Sequence, residues 1–206
     1  MSATPRHPDP TSAIAGPLHA ILCAYHPVAH GTTALVVRAG SVRDLDEAEV
    51  LSLAGRQDQH EYFVLEGVLH RAITGHDGES VTTAFYASGS VITPHFARTR
   101  GGRSLFSIAA LTEARVFQVP VSEFDGLRSS HDEVRVFGMR VVERELMDAV
   151  GQSTSFREFS ARERLIALRK AFPCIENQVS HTIIASYLGI TPVSLSRLRN
   201  EMARTT

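Results

Sequence analysis

The sequence predicts an α+β fold in three parts: an antiparallel β-roll built as a double-sheet sandwich, a long dimerisation helix, and a C-terminal all-α helix-turn-helix domain. Three observations point there. From about residue 49, short runs rich in β-branched and aromatic residues recur between turn signals. Around residue 121 the hydrophobic period changes from strand-like to helical. Near the end, "IIASYLGITPVSLSRLR" (183–199) reads as two short helices broken at Gly189 and restarted at Thr191–Pro192.

Taken in order, residues 1–16 are rich in Pro, Ser and Thr and lack a basic region followed by an apolar run. They are expected to form a disordered tail rather than a signal peptide. "GPLHAILCAYHPV" has the look of a short helix. "ALVVRAG" has strand composition, and "VRDLDEAEV" suits a helical turn. The strand candidates are "EVLSLAG", "EYFVLEG", "VLHRAIT", "VTTAFYASG", "SLFSIAAL" and "ARVFQVPV", and their spacing suits a sandwich or barrel. Gly67 and Gly78 fall where tight bends require positive φ. These strands make up the expected β-roll domain, 17–127.

The next segment, 128–155, carries two apolar lines at helical spacing. One is Val134, Phe137 and Val141; the other is Met139, Val142, Leu146 and Ala149. One line can pack on the β domain and the other can form a coiled-coil-like seam with a second copy. Val134, Phe137, Val141, Val142 and Leu146 are the candidate dimer-interface residues. One helix buried on a broad face of a monomer is the alternative.

Residues 156–206 form the expected helix-turn-helix domain. Ser160 and Glu163 make a capping-box pattern, and Pro173 stops the helix that they start. Ser180 can cap a helix to about Leu188, Gly189 suits a left-handed helix end, and Thr191–Pro192 can open the next helix. Ile184, Ala185, Leu188, Ile190, Leu195 and Leu198 interlock as a two-helix core requires, with small Ala185 allowing a close crossing. The residues left outward point to DNA. Arg197 can bond guanine bidentately, and Asn200 can bond adenine or phosphate. Ser180, Thr191, Ser194 and the helix amino ends suit phosphate oxygens. The candidate DNA-binding set is Ser180, Thr191, Pro192, Val193, Ser194, Ser196, Arg197, Arg199 and Asn200.

Charge and composition fit this division. Residues 157–206 hold eight basic and four acidic side chains, whereas residues 1–156 hold 13 basic and 18 acidic. A basic end on an acidic body is the pattern of a nucleic-acid-binding module. At 43% hydrophobic the chain can bury a core, yet no apolar run approaches the roughly 20 residues of a membrane span. Cys23 and Cys174 form no CxxC pair, which argues against a cysteine-built metal site and for a reducing cytoplasm.

The order of parts and the text of "EYFVLEGVLHRAI", the following "DG" turn and "IASYLGITPVSLSRLR" resemble the Crp/Fnr transcription regulators over about residues 45–206. The resemblance implies a cyclic-nucleotide-binding-like β-roll sensor, a homodimer, and a palindromic double-stranded DNA operator. It leaves RNA polymerase as a further partner. No enzyme activity, membrane association or cofactor is implied; a small-molecule effector of unknown identity is. Members that bind cyclic AMP carry an early Gly–Glu pair and a later Pro-Arg-Ser/Thr-Ala run. Here Thr93–Pro94 stands at the first place and Arg103–Ser104 follows Gly at the second, so cyclic AMP is not expected. Their recognition helix opens with an Arg–Glu pair, where Pro192–Val193 stand here, so a different operator is expected. Little length remains beyond the motif for a β-wing.

His95, Arg98, Arg100, Arg103 and Ser104 lie where such proteins hold an effector, and they are the candidate effector-binding residues; a solvated loop is the plain alternative. A β-roll also resembles metal-binding cupins in shape. A cupin site needs a His-x-His pair, but Tyr62 stands two residues after His60, so no metal is expected. The other readings are a cupin-like metalloenzyme with a helical tail, and a constitutive regulator whose β-roll is only a scaffold.

Overall fold

The computed structural model describes residues 10–93 and 99–204. The chain opens with a helical hairpin, α1 (Pro10–Tyr25) and α2 (His30–Ala39). Two expectations fail here. Residues 1–9 of the tail expected over 1–16 lie outside the described residues; from Pro10 the rest is helix, continuous with the short helix read at 16–28, because Ile14, Ala15, Leu18, Ile21 and Leu22 pack along one face. The "ALVVRAG" stretch is helix rather than strand: Thr33, Val36 and Val37 share a buried face, a helical spacing that composition alone does not reveal. The helical turn expected at "VRDLDEAEV" is instead largely strand.

That strand is β1 (Ser41–Leu45). It is followed by β2 (Val50–Ser52), β3 (His60–Glu66), β4 (Val68–Thr74), β5 (Ser80–Ala87), β6 (Val91–Ile92), β7 (Thr99–Arg100), β8 (Arg103–Ser104), β9 (Ser107–Ala110) and β10 (Ala114–Pro120). They form two four-stranded sheets, β1-β10-β3-β6 and β2-β9-β4-β5, and a β7-β8 ribbon. Every recorded strand pairing is antiparallel. Between the sheets, Leu45, Tyr62, Val64, Leu69, Ile92, Ile108 and Val116 make one apolar cluster. Gly67 turns β3 into β4 at φ 86°, where a Cβ would lie 2.4 Å from the Glu113 carbonyl; only glycine suits both demands.

The helices that follow are α3 (Val121–Ser130), α4 (Asp132–Glu158), α5 (Ala161–Ala171), α6 (Ile175–Gln178), α7 (His181–Leu188) and α8 (Pro192–Arg204). The outer face of the first sheet is covered by α1, α2, α3 and the start of α4. Phe63 and Phe117 of the sheet meet Phe124 of α3 and Phe137 of α4 in one buried cluster, with ring centroids 6.0–6.3 Å apart. This two-sided cover explains why "EYFV" is buried at every position, where a half-exposed strand would alternate.

The same packing corrects the dimer-interface assignment. Val134, Phe137 and Val141 are buried in the chain's own core, with Phe137 only 1% exposed. They cannot also face a second copy. Val142 is half-buried and Leu146 is exposed, and with Met139, Met147 and Val150 they leave an apolar edge on α4. Further along α4, Glu145 pairs with Arg71 of β4 at 2.9 Å, both side chains well buried. Arg71 also donates to Thr83 and lies 4.7 Å from the centre of the Phe106 ring.

The last four helices build a third core of Leu165, Leu168, Ile175, Val179, Ile184, Ala185, Leu188 and Leu195, and this core includes Val68 and Phe85 of the second sheet. Phe85 touches Tyr187 and Phe172 with centroids at 4.8 and 5.9 Å, and the Thr82 amide donates to Ser186 Oγ at 3.0 Å. The helical domain is therefore docked on the β4–β5 hairpin.

Candidate nucleic-acid interface

The two-helix motif is shaped by local signals. Ser180 Oγ accepts the Ile183 amide at the start of α7. At its end Gly189 is left-handed, φ 66° and ψ 35°, and the Ile190 amide returns to the Ala185 carbonyl at 3.0 Å. This closure is a standard helix end, and it needs a residue without a Cβ. A Cβ on Gly189 would also meet the Phe156 ring at 2.6 Å. Thr191 Oγ1 then accepts the Ser194 amide at 3.1 Å, capping α8, and Pro192 occupies the first helical position. Ile184, Ala185, Leu188 and Leu195 are buried, while Ile190 and Leu198 are half-buried.

With that core inward, α8 turns one face to solvent. Thr191, Pro192, Val193, Ser194, Ser196, Arg197 and Asn200 are all exposed, Val193 at 61%. Ser180 is exposed as well, at the amino end of α7. These residues therefore offer hydroxyls, one guanidinium, one carboxamide and two apolar side chains. Those groups can meet phosphate oxygens, base edges and a thymine methyl. Arg199 departs from the expected set. Its side chain is 18% exposed and turns inward, where Nε donates to Glu176 Oε1 at 2.7 Å. Glu176 also holds Arg169, so burial alone would raise its pKa, but the bonds and charges of the two arginines outweigh that and hold it below the ordinary value.

Most side chains of the expected effector set lie outside the described residues. His95 and Arg98 lie outside them, as does the side chain of Arg100. Arg103 is exposed and donates to the Gly55 carbonyl at 2.8 Å. Ser104 is buried, but its hydroxyl is held by the backbone of Phe106 at 2.6 Å. Buried Thr93 donates to buried Glu61 at 2.9 Å. His70 is half-buried against Thr82, and burial lowers its pKa. Among the described residues no group of three His, Cys, Asp or Glu side chains is placed to hold a metal ion. A cleft of about 750 Å³ lies between β5, α4, α5 and α7, with Arg71, Glu145, Arg164 and Tyr187 on its walls.

Sequence reasoning missed Arg71, Glu145 and Glu176. Arg71 is a cation inside a mostly apolar strand, which is a weak signal of a buried partner. Glu145 carries no local signal, because its partner is 74 residues away, and Glu176 lies between an arginine seven residues before it on another helix and one 23 residues after it.

Comparison with solved structures gives the class. FixK2 from Bradyrhizobium japonicum is 19% identical, covers 81% of this chain and 85% of its own, and superimposes with a TM-score of 0.69. The c-di-GMP-responsive global regulator CLP of Xanthomonas campestris is 11% identical over 86% of this chain and 93% of its own, at 0.68. A putative Crp/Fnr-family regulator from Eubacterium rectale is 13% identical over 86% and 85%, also at 0.68. The chain has the Crp/Fnr-type fold. No protein-family model and no curated protein matches the sequence.

Proposed function

We propose that this chain is a DNA-binding transcription regulator of Crp/Fnr type, acting as a cytoplasmic homodimer on a palindromic operator. One observation carries the reading: a capped, left-handed turn at Gly189–Thr191 buries Leu195 and leaves Thr191 to Arg197 and Asn200 as an exposed face, on a fold shared with such regulators. The exposed edge of α4, Met139, Leu146 and Val150, is the surface offered to the second copy. Two recognition helices would then enter successive major grooves, with half-sites about one helical turn apart. Among the described residues no single helix is long and apolar enough to cross a membrane.

The test is selection of duplexes from a random DNA library by purified protein, followed by titration of Arg197→Ala. We expect a palindromic site and a loss of about 1–3 kcal/mol of specific binding. If Arg197→Ala binds that site as tightly as wild type, the assignment of the reading face fails.

The β-roll is the sensor in this reading, for an effector other than cyclic AMP. A second version, a constitutive regulator whose β-roll is a scaffold, draws on the buried Arg71–Glu145 pair, which ties the β domain to α4. Selection with and without cell extract separates the two.

A further inference from the structure

One carboxylate links the helices around the reading face. Glu176 of α6 receives Arg199 of α8 at 2.7 Å and Arg169 of α5 through both Nε and Nη2, the latter at 3.3 Å. Arg199 Nη1 also meets His181 Nε2 at the start of α7. Glu176 and Arg199 are 20% and 18% exposed, so the network is largely withdrawn from water. At such burial the pair is geometrically demanding, because removing one partner leaves the other charge poorly solvated.

Arg197 and Arg199 are two positions apart, which on a helix sends their side chains to roughly opposite faces. Arg197 is exposed on the reading face; Arg199 is drawn the other way by Glu176. A guanidinium released from Glu176 has the reach and charge to seek a phosphate instead, adding attraction that carries no sequence information.

We propose that Glu176 is a positioning residue for DNA reading: by holding Arg199 inside the motif it fixes the register of α8 and keeps the Arg199 guanidinium off the face that carries Arg197. This rests on the DNA-binding reading above. It assigns Glu176 a role in specificity, since discrimination is gained by withholding a non-specific contact as much as by making a specific one.

The test uses full-length wild type, Glu176→Gln, Arg199→Leu and the double variant. Each is titrated with the duplex selected by wild type and with a random-sequence duplex of equal length, over a range of salt. For Glu176→Gln we expect several-fold tighter random-duplex binding, a smaller ratio of selected to random affinity, and a salt slope steeper by about 0.9 per protomer. The double variant should return to the wild-type slope, and Arg199→Leu alone should keep it. Thermal melting reports whether each variant folds; should Glu176→Gln fail to fold, Arg199→Leu alone decides. An unchanged slope and ratio in folded Glu176→Gln overturns the proposal, as does a slope shallower by about one in Arg199→Leu, which would make Arg199 itself a phosphate contact. If wild type selects no duplex at all, the DNA-binding reading falls and takes this inference with it.

Discussion

Arg197 and Arg199 are both candidate DNA contacts in the sequence, Arg197 facing outward and Arg199 at the margin, and they have opposite fates in the fold. What separates them is a carboxylate placed by another helix. The same carboxylate brings a pH dependence. Glu176 ionises more readily in the folded chain than in an unfolded one, its pKa being lowered from 4.5. Its stabilising contribution is therefore complete above the ordinary carboxylate value and is lost as the pH falls through the lower, folded value. Acid melts of wild type should show the helical domain losing stability below about pH 4.5. Glu176→Gln should flatten that part of the curve. A Gln variant with the same acid limb as wild type would remove Glu176 from the account. At Gly189 the demand is conformational: a left-handed turn and a ring at Cβ distance leave room for nothing larger.

Helix α4 shows how one element serves two neighbours. Its 27 residues present Val134, Phe137 and Val141 to the β domain, then pass Glu145 to Arg71, and leave Met139, Leu146 and Val150 outside. The two apolar lines were legible from spacing. Which one faces inward was not, because, of the hairpin α1–α2 that closes over the first sheet, only residues 16–28 were read as helix, with tail before them and strand after. Phe137→Ala removes a ring from a four-phenylalanine cluster and should cost about 3–5 kcal/mol, measured by urea denaturation. A loss under 1 kcal/mol would mean that the cluster repacks freely. Helix α5 was plainer: the Ser160–Glu163 capping box read from sequence is present with both of its bonds.

For the whole molecule, the question is how a signal or a partner reaches α8. The helical domain packs on β4 and β5 through Phe85, Tyr187 and Phe172, while α4 is tied to β4 through Arg71 and Glu145. The second sheet thus contacts both the long helix and the helical domain. A change in its shape would reach the helical domain by two routes, which is the coupling that the proposed sensor role requires. The outer edge of α4 is then free for a second copy. Leu146→Glu puts a charge into that seam without touching the protomer core. Sedimentation should show it shifting the wild-type dimer to monomer and abolishing cooperative binding to a palindromic duplex. A Leu146→Glu dimer of wild-type stability would place the interface elsewhere.

The sequence by itself determined the class of fold, the strand runs from residue 49, the long helix and the capped turn at Gly189–Pro192. These are local: they depend on period, on caps and on residues that tolerate only one backbone conformation. Tertiary structure decided everything that depends on a distant partner. It turned Val134, Phe137 and Val141 inward, carried α1 back to Pro10 and made a helix of His30–Ala39, drew Arg199 to Glu176, and set Arg71 against Glu145. Charge and burial at those sites are settled by residues tens of positions away, and no local pattern carries that information.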